Sequence, residues 1–208
     1  MLENKVVLIT GGLGRLGLAL AQAVEENGGT PILTSRDQKK ADDFNEKTER
    51  KSKVCVRLLK PDNESEVKTF IEQLVKEYPR IDGLVNNAAL YGDISGGRFN
   101  ELSEDQWDRV MSVNVKGIWQ CCKACVPAMK DAGGGSIINI SSLAATYGMP
   151  FAIDYATSKA AVIGMTRSLA RELGRSWIRV NAVAPSAVLT EGTDDFMGPV
   201  RDKALAVI

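Results

Sequence analysis

The sequence predicts an α/β domain built on a doubly wound parallel sheet of six strands. Three observations carry that expectation. Short apolar runs alternate with helix-period stretches along the chain. The runs are continuously apolar, as strands covered on both faces must be. No linker, repeat or low-complexity segment divides the 208 residues, a length suited to one buried core. Right-handed crossovers between such strands place helices on both faces of the sheet.

The elements follow in order. Lys5 to Thr10 (KVVLIT) reads as the first strand and Leu16 to Glu26 as a helix. Thr30 to Thr34 is the second strand, followed by a polar helix from Lys39 to Glu49. Val54 to Leu59 is the third. The helix from Glu64 to Glu77 puts Val67, Phe70, Ile71, Leu74 and Val75 on one face. Ile81 to Val85 is the fourth strand, ending in Asn86-Asn87. A long helix runs from Ser103 to Ala132, opened by Ser103 and Gln106 in capping-box spacing. Ser136 to Ile140 is the fifth strand, Tyr155 to Gly174 a helix, and Ile178 to Ala184 the sixth strand.

Composition excludes several classes of function. Lys plus Arg and Asp plus Glu each number 26. The balanced charge gives no reason to expect a nucleic-acid or membrane partner. There is no histidine, which removes Ser-His-Asp hydrolysis and His-ligated zinc. Cys121, Cys122 and Cys125 fall within a helix, outside zinc-knuckle spacing, and read as core residues. No apolar run approaches a membrane span. Met1 leads directly into the first strand without a signal peptide. A cytoplasmic protein is expected.

Gly12, Gly14 and Gly17 fit G-x-G-x-x-G between a strand and a helix. Glycines there let the backbone approach a pyrophosphate, whose charge sits at the helix N-terminus. A tight turn without ligand is the alternative. The end of the second strand reads Thr34-Ser35-Arg36-Asp37. A carboxylate at the discriminating position would bond the ribose of NAD, whereas arginine accommodates the extra phosphate of NADP. Ser35 at that position, with Arg36 beside it and Arg15 in the glycine turn, points to NADP(H) over NAD(H). The same arginines also suit solvated surface charges, and Asp37 complicates the reading.

Tyr155 and Lys159 lie four residues apart on one helix and share a face. A neighbouring ammonium favours a phenolate, so the pair suits acid–base work near neutral pH. Ser142 ends the fifth strand, 13 residues before Tyr155. Its hydroxyl is placed to hold a substrate oxygen, with Ser141 as competitor.

Together these residues resemble the short-chain dehydrogenase/reductase family, single-domain type. The likeness runs through Thr10-Gly11…Gly17, Asn86-Asn87-Ala88, Asn114, Ser142, Tyr155-x-x-x-Lys159 and Pro185…Thr190. It implies a Rossmann fold spanning residues 1–208 as one NAD(P)-binding domain. It implies Ser142, Tyr155, Lys159 and Asn114 as catalytic, with Asn114 distorting the long helix. Cofactor contacts are implied at Gly11, Gly14, Arg15, Leu16, Gly17, Ser35, Arg36, Asn86, Ala88, Lys159, Pro185, Val188 and Thr190. Lys159 is expected to lower the Tyr155 pKa. The substrate is a small carbonyl or secondary alcohol.

The chain departs from the family pattern at Arg15, Ala89 and Ser186, each a glycine there, and at Lys60, where a carboxylate is usual. The family's C-terminal strand is absent before Ile208, leaving residues 189–208 as a lid that partly covers the substrate. The resemblance further implies a homodimer or homotetramer through the helix carrying Trp107 and Trp119. The competing expectations are a cofactor-binding regulatory or scaffold protein without turnover, and a sugar-nucleotide-modifying enzyme suggested only by the glycine spacing.

Overall fold

A computed structural model describes residues 1–47, 55–91, 97–186 and 188. Six parallel strands form one sheet in the order β3-β2-β1-β4-β5-β6. They are β1 (Val6–Ile9), β2 (Thr30–Ser35), β3 (Cys55–Leu58), β4 (Gly83–Asn86), β5 (Gly135–Ile140) and β6 (Ile178–Val183). The order reverses between β1 and β4, the switch point where open α/β sheets bind ligands. The expected doubly wound fold is therefore present.

Strand parity sorts the apolar residues into two cores. On one face Val6, Leu8, Ile32, Leu84 and Ile137 meet three helices: α3 (Glu64–Glu77), α5 (Gly117–Asp131) and α7 (Ile153–Leu173). On the other, Val7, Ile9, Leu33, Val85 and Ile140 pack with Ala21 and Val24 of α1 (Arg15–Glu26) and Ala41 of α2 (Gln38–Lys47). Cys121, Cys122 and Cys125 are free thiols buried in the first core, as expected.

Local chemistry explains where the elements differ from expectation. β4 starts at Gly83, because the Asp82 carboxylate itself accepts from the Val6 N–H. The expected single long helix is α4 (Glu104–Met111) and α5 joined by a π-helical turn over Ser112–Lys116. That turn is the distortion expected around Asn114. Ser103 caps α4 by accepting from the Gln106 N–H, but the Gln106 side chain donates to Asp154 on α7. A short helix, α6 (Ala144–Tyr147), is additional. Four residues are too few to show a period, and the Ser142 hydroxyl starts it by accepting from the Ala144 N–H. Thr190 and the expected lid over residues 189–208 lie outside the described residues.

Candidate active site

A cleft of about 890 Å³ opens beyond the carboxyl ends of β1 to β4. Among its walls are Gly11, Gly14, Ser35, Arg36, Ala88 and Leu90. The turn after β1 is shaped by close approach. Gly11 has φ +62°, and a Cβ on it would lie 2.8 Å from the Cα of Ala88. The Thr10 hydroxyl accepts from the N–H groups of Asn87 and Ala88, and the Asn87 amide donates to the carbonyls of Thr10 and Gly11. Thr10 and Asn87 thus stitch the glycine turn to the end of β4.

Helix α1 starts at this turn with Gly14 as its N-cap and no side-chain cap. The first turn of a helix carries N–H groups without intrahelical acceptors. Those of Arg15, Leu16 and Gly17 therefore offer the positive end of α1 to an anion. A bare glycine cradle leading into an uncapped helix fits a dinucleotide pyrophosphate. Gly17 has a separate role: its Cβ would sit 2.7 Å from both Cα and O of Gly12, so it lets α1 pack on the turn. The Arg15 side chain is exposed and does not line the cleft.

At the end of β2, the Ser35 hydroxyl accepts from the Asp37 N–H at 3.0 Å. One Asp37 carboxylate oxygen accepts from the Lys40 N–H at 3.0 Å and caps α2. The carboxylate that complicated the sequence is thus partly committed to the helix. Arg36, Lys40 and Lys60 also line the cleft. The Asn86 side chain is 1% exposed and turned into the core, donating to Asn139 at 2.8 Å and to the Cys122 sulfur at 3.4 Å, which leaves its backbone to face the cleft end of β4. The physical reason is parity, since Asn86 shares the core face of Leu84.

The residues expected to be reactive gather at the ends of β5 and α7. The Ser142 hydroxyl faces the Tyr155 phenol closely enough to lower its pKa. Ser141 is excluded from that role, because its buried hydroxyl donates to the Lys159 carbonyl at 2.8 Å. Lys159 is 2% exposed. Its ammonium donates to the Ile140 carbonyl at 2.8 Å and lies 5.7 Å from the Tyr155 ring centroid. Asn114 is fully buried in the π-turn. It bonds the Leu90 backbone in both directions and donates to the Ser158 hydroxyl at 3.1 Å. Leu90, Ser112 and Val113 line the cleft, so the π-turn joins it to the reactive cluster. The ring of Tyr91 lies 5.0 Å from that of Tyr155. Pro185 is half-buried, its carbonyl accepting from the Leu143 N–H, and Val188 is exposed.

The electrostatics differ from expectation at Tyr155. Its pKa is raised: burial dominates, and the nearby Ser142 hydroxyl only partly opposes it. Burial also lowers the Lys159 pKa to about 8. The buried ammonium points at a carbonyl, so the expected depression of the phenol by Lys159 is not found in the protein alone.

A family model described as short chain dehydrogenase matches residues 5–197. The chain belongs to the short-chain dehydrogenase family. It is 38% identical over 208 residues to the 3-oxoacyl-[acyl-carrier-protein] reductase FabG of Thermotoga maritima, covering all of this chain and 83% of that protein. It is 36% identical over 194 residues to a 3alpha-hydroxysteroid dehydrogenase of Mediterraneibacter gnavus, covering 92% of this chain and 76% of the relative. Among solved structures, NAD+-bound xylitol dehydrogenase superposes with a TM-score of 0.87 at 28% identity, over 97% of this chain and 77% of that one. The NADH complex of 3-ketoacyl-(acyl-carrier-protein) reductase from Brucella melitensis gives 0.83 at 27% identity, over 90% and 77%. The chain is thus a short-chain dehydrogenase/reductase, an oxidoreductase of CH–OH and C=O groups. Among the described residues no helix is long and apolar enough to cross a membrane.

Proposed function

We propose that this dehydrogenase uses NADP(H) to interconvert a small-molecule carbonyl and its secondary alcohol, with residues 1–208 acting as one cofactor-binding domain. The observation that carries this reading is the buried Lys159 ammonium 5.7 Å from the Tyr155 ring, next to a cleft floored by an uncapped helix. When bound, the nicotinamide supplies or accepts the hydride. The chain does the rest. Ser142 and Tyr155 hydrogen-bond the substrate oxygen, and Tyr155 gives that oxygen its proton in reduction or removes it in oxidation. Lys159 holds the nicotinamide ribose, Val188 and Thr190 its carboxamide, and Asn114 keeps the π-turn in register with Leu90. The glycine turn and the N–H groups of α1 hold the pyrophosphate. Ser35, in place of a carboxylate, leaves room for a ribose phosphate near Arg36 and Lys40.

The cofactor reading is tested by fluorescence titration with NADPH and NADH at one ionic strength. NADPH should bind more tightly, and equal or tighter binding of NADH rejects the assignment. The catalytic reading is tested with Tyr155→Phe. Against a panel of 3-oxoacyl thioesters, steroid ketones and polyols, the variant should keep NADPH affinity and lose turnover by about 10²–10⁴-fold. Near-normal turnover removes Tyr155 from the role. We further propose a homodimer through the α4–α5 face, where Met111, Val115 and half-exposed Trp119 line a shallow groove. Sedimentation as a monomer at micromolar concentration contradicts that assembly.

A further inference from the structure

Asp154 is a buried carboxylate, 1% exposed, that the mechanism above does not use. One oxygen accepts from the Tyr155 N–H at 2.8 Å. The other accepts from the Gln106 side chain on α4 at 2.9 Å. Tyr155 is the third residue of α7, so its N–H belongs to the uncapped first turn. A carboxylate placed there also meets the positive end of the helix. On its other side, the Tyr155 carbonyl accepts from the Ser158 hydroxyl at 2.7 Å, and Ser158 in turn accepts from Asn114 at 3.1 Å. Both backbone groups of Tyr155 are therefore held by side chains. Each of those side chains is tied to the α4–π-turn segment, one to Gln106 and the other to Asn114.

We propose that Gln106 and Asp154 are positioning residues, which with Ser158 and Asn114 form a two-ended brace fixing Tyr155 relative to α4. Either hydrogen bond alone permits the first turn of α7 to pivot about the other. Together they leave the phenol one backbone position. The same α4–π-turn segment supplies Asp108, Arg109, Ser112 and Val113 to the cleft wall, so the brace ties the proton donor to the surface that receives the cofactor. This rests on Tyr155 being the proton donor.

The test is a pair exchange. Gln106→Glu sets two carboxylates against each other and opens the brace. Adding Asp154→Asn restores one donor and one acceptor in the reverse sense, and the carbonyl of the introduced amide can still accept from the Tyr155 N–H. Kinetics are read with NADPH and the best ketone of the panel, alongside NADPH affinity by fluorescence and thermal midpoint. Because a small misplacement of a reacting group costs up to about 10²-fold, Gln106→Glu should lose at least about tenfold in kcat at unchanged NADPH affinity. The double variant should recover most of that loss. Gln106→Leu, which removes the hydrogen bond to Asp154 from a half-buried side chain, is the second probe if the double variant fails to fold. It should lower kcat without changing NADPH affinity. Wild-type kcat in Gln106→Glu, no recovery in a folded double variant, or wild-type kcat in Gln106→Leu overturns the proposal. If Tyr155→Phe also turns over normally, it is the catalytic reading that has failed. If only the brace variants do, the brace alone is wrong.

Discussion

The lowered pKa of Lys159 makes the stability of this protein rise with pH, opposite to the effect of a lysine held in an ordinary salt bridge. The residue is 2% exposed, and burial lowers its pKa from 10.5 to about 8. In the unfolded chain the amine holds its proton until pH 10.5. Between those values the unfolded state binds more protons, so stability rises with pH. Below pH 8 the folded protein carries the full cost of a buried ammonium, about 3 kcal/mol at 1.36 kcal/mol per pH unit. From pH 7 to 9.5 linkage returns about 2 kcal/mol of it. The perturbation that isolates this is Lys159→Met, which removes the titrating group while keeping most of the apolar stem. Urea unfolding of both proteins across that range supplies the difference profile, in which the cysteines, tyrosines and other lysines cancel. The stability of the wild type relative to the variant should climb by about 2 kcal/mol, whatever constant offset the lost bond to the Ile140 carbonyl adds. Parallel profiles, agreeing within about 0.5 kcal/mol, refute the claim that the ammonium is held at the expense of the fold.

Two further outcomes concern packing and buried polarity. Gly17→Ala places a methyl 2.7 Å from Gly12 backbone atoms, and should cost about 1–3 kcal/mol in urea unfolding and weaken NADPH binding, because the turn must shift. Unchanged stability and affinity count against the close packing of α1 on the turn. Asn139 accepts from Asn86 at 2.8 Å and donates to Thr166 at 2.9 Å. Asn139→Ala leaves both partners buried with a bond unmade and should destabilise by about 1–3 kcal/mol or more. A neutral effect means that the polar chain from β4 through β5 to α7 does not contribute.

The six strands and the helices between them were legible because apolar runs and helical period are one-dimensional signals. Leu8 and Ile9 alternate toward opposite cores, and the face of α3 named in the sequence is the face it buries. The same parity rule, applied to polar residues, turns Asn86 and Asn139 inward with Leu84 and Ile137. Ser141 and Ser142 were not separable by chemistry. Their roles follow from the end of β5: the Ser141 N–H still pairs with the Val183 carbonyl, and its side chain turns inward. The contacts that could not be read join distant positions. Gln106 and Asp154 are 48 residues apart, and Asn114 and Leu90 24. The ring of Tyr91 reaches Tyr155 only after β4 and α7 are brought side by side.

The raised phenol of Tyr155 and the lowered amine of Lys159 share one cause. Burial penalises whichever form is charged, so it pushes an acid up and a base down. The cluster therefore does not hold a ready phenolate–ammonium pair in the protein alone. At neutral pH it holds a protonated phenol, the form that reduction consumes, beside an ammonium weakened by the same desolvation. A group that partners the Lys159 ammonium, as the ribose hydroxyls of a bound cofactor would, adds solvation to it and raises its hold on the proton. A more firmly charged amine then favours the phenolate of Tyr155. On this view the acid–base strength of the site is not a fixed property of the chain. It is released by occupancy, so the alkaline limb of the oxidation rate should track the cofactor-bound form of the protein.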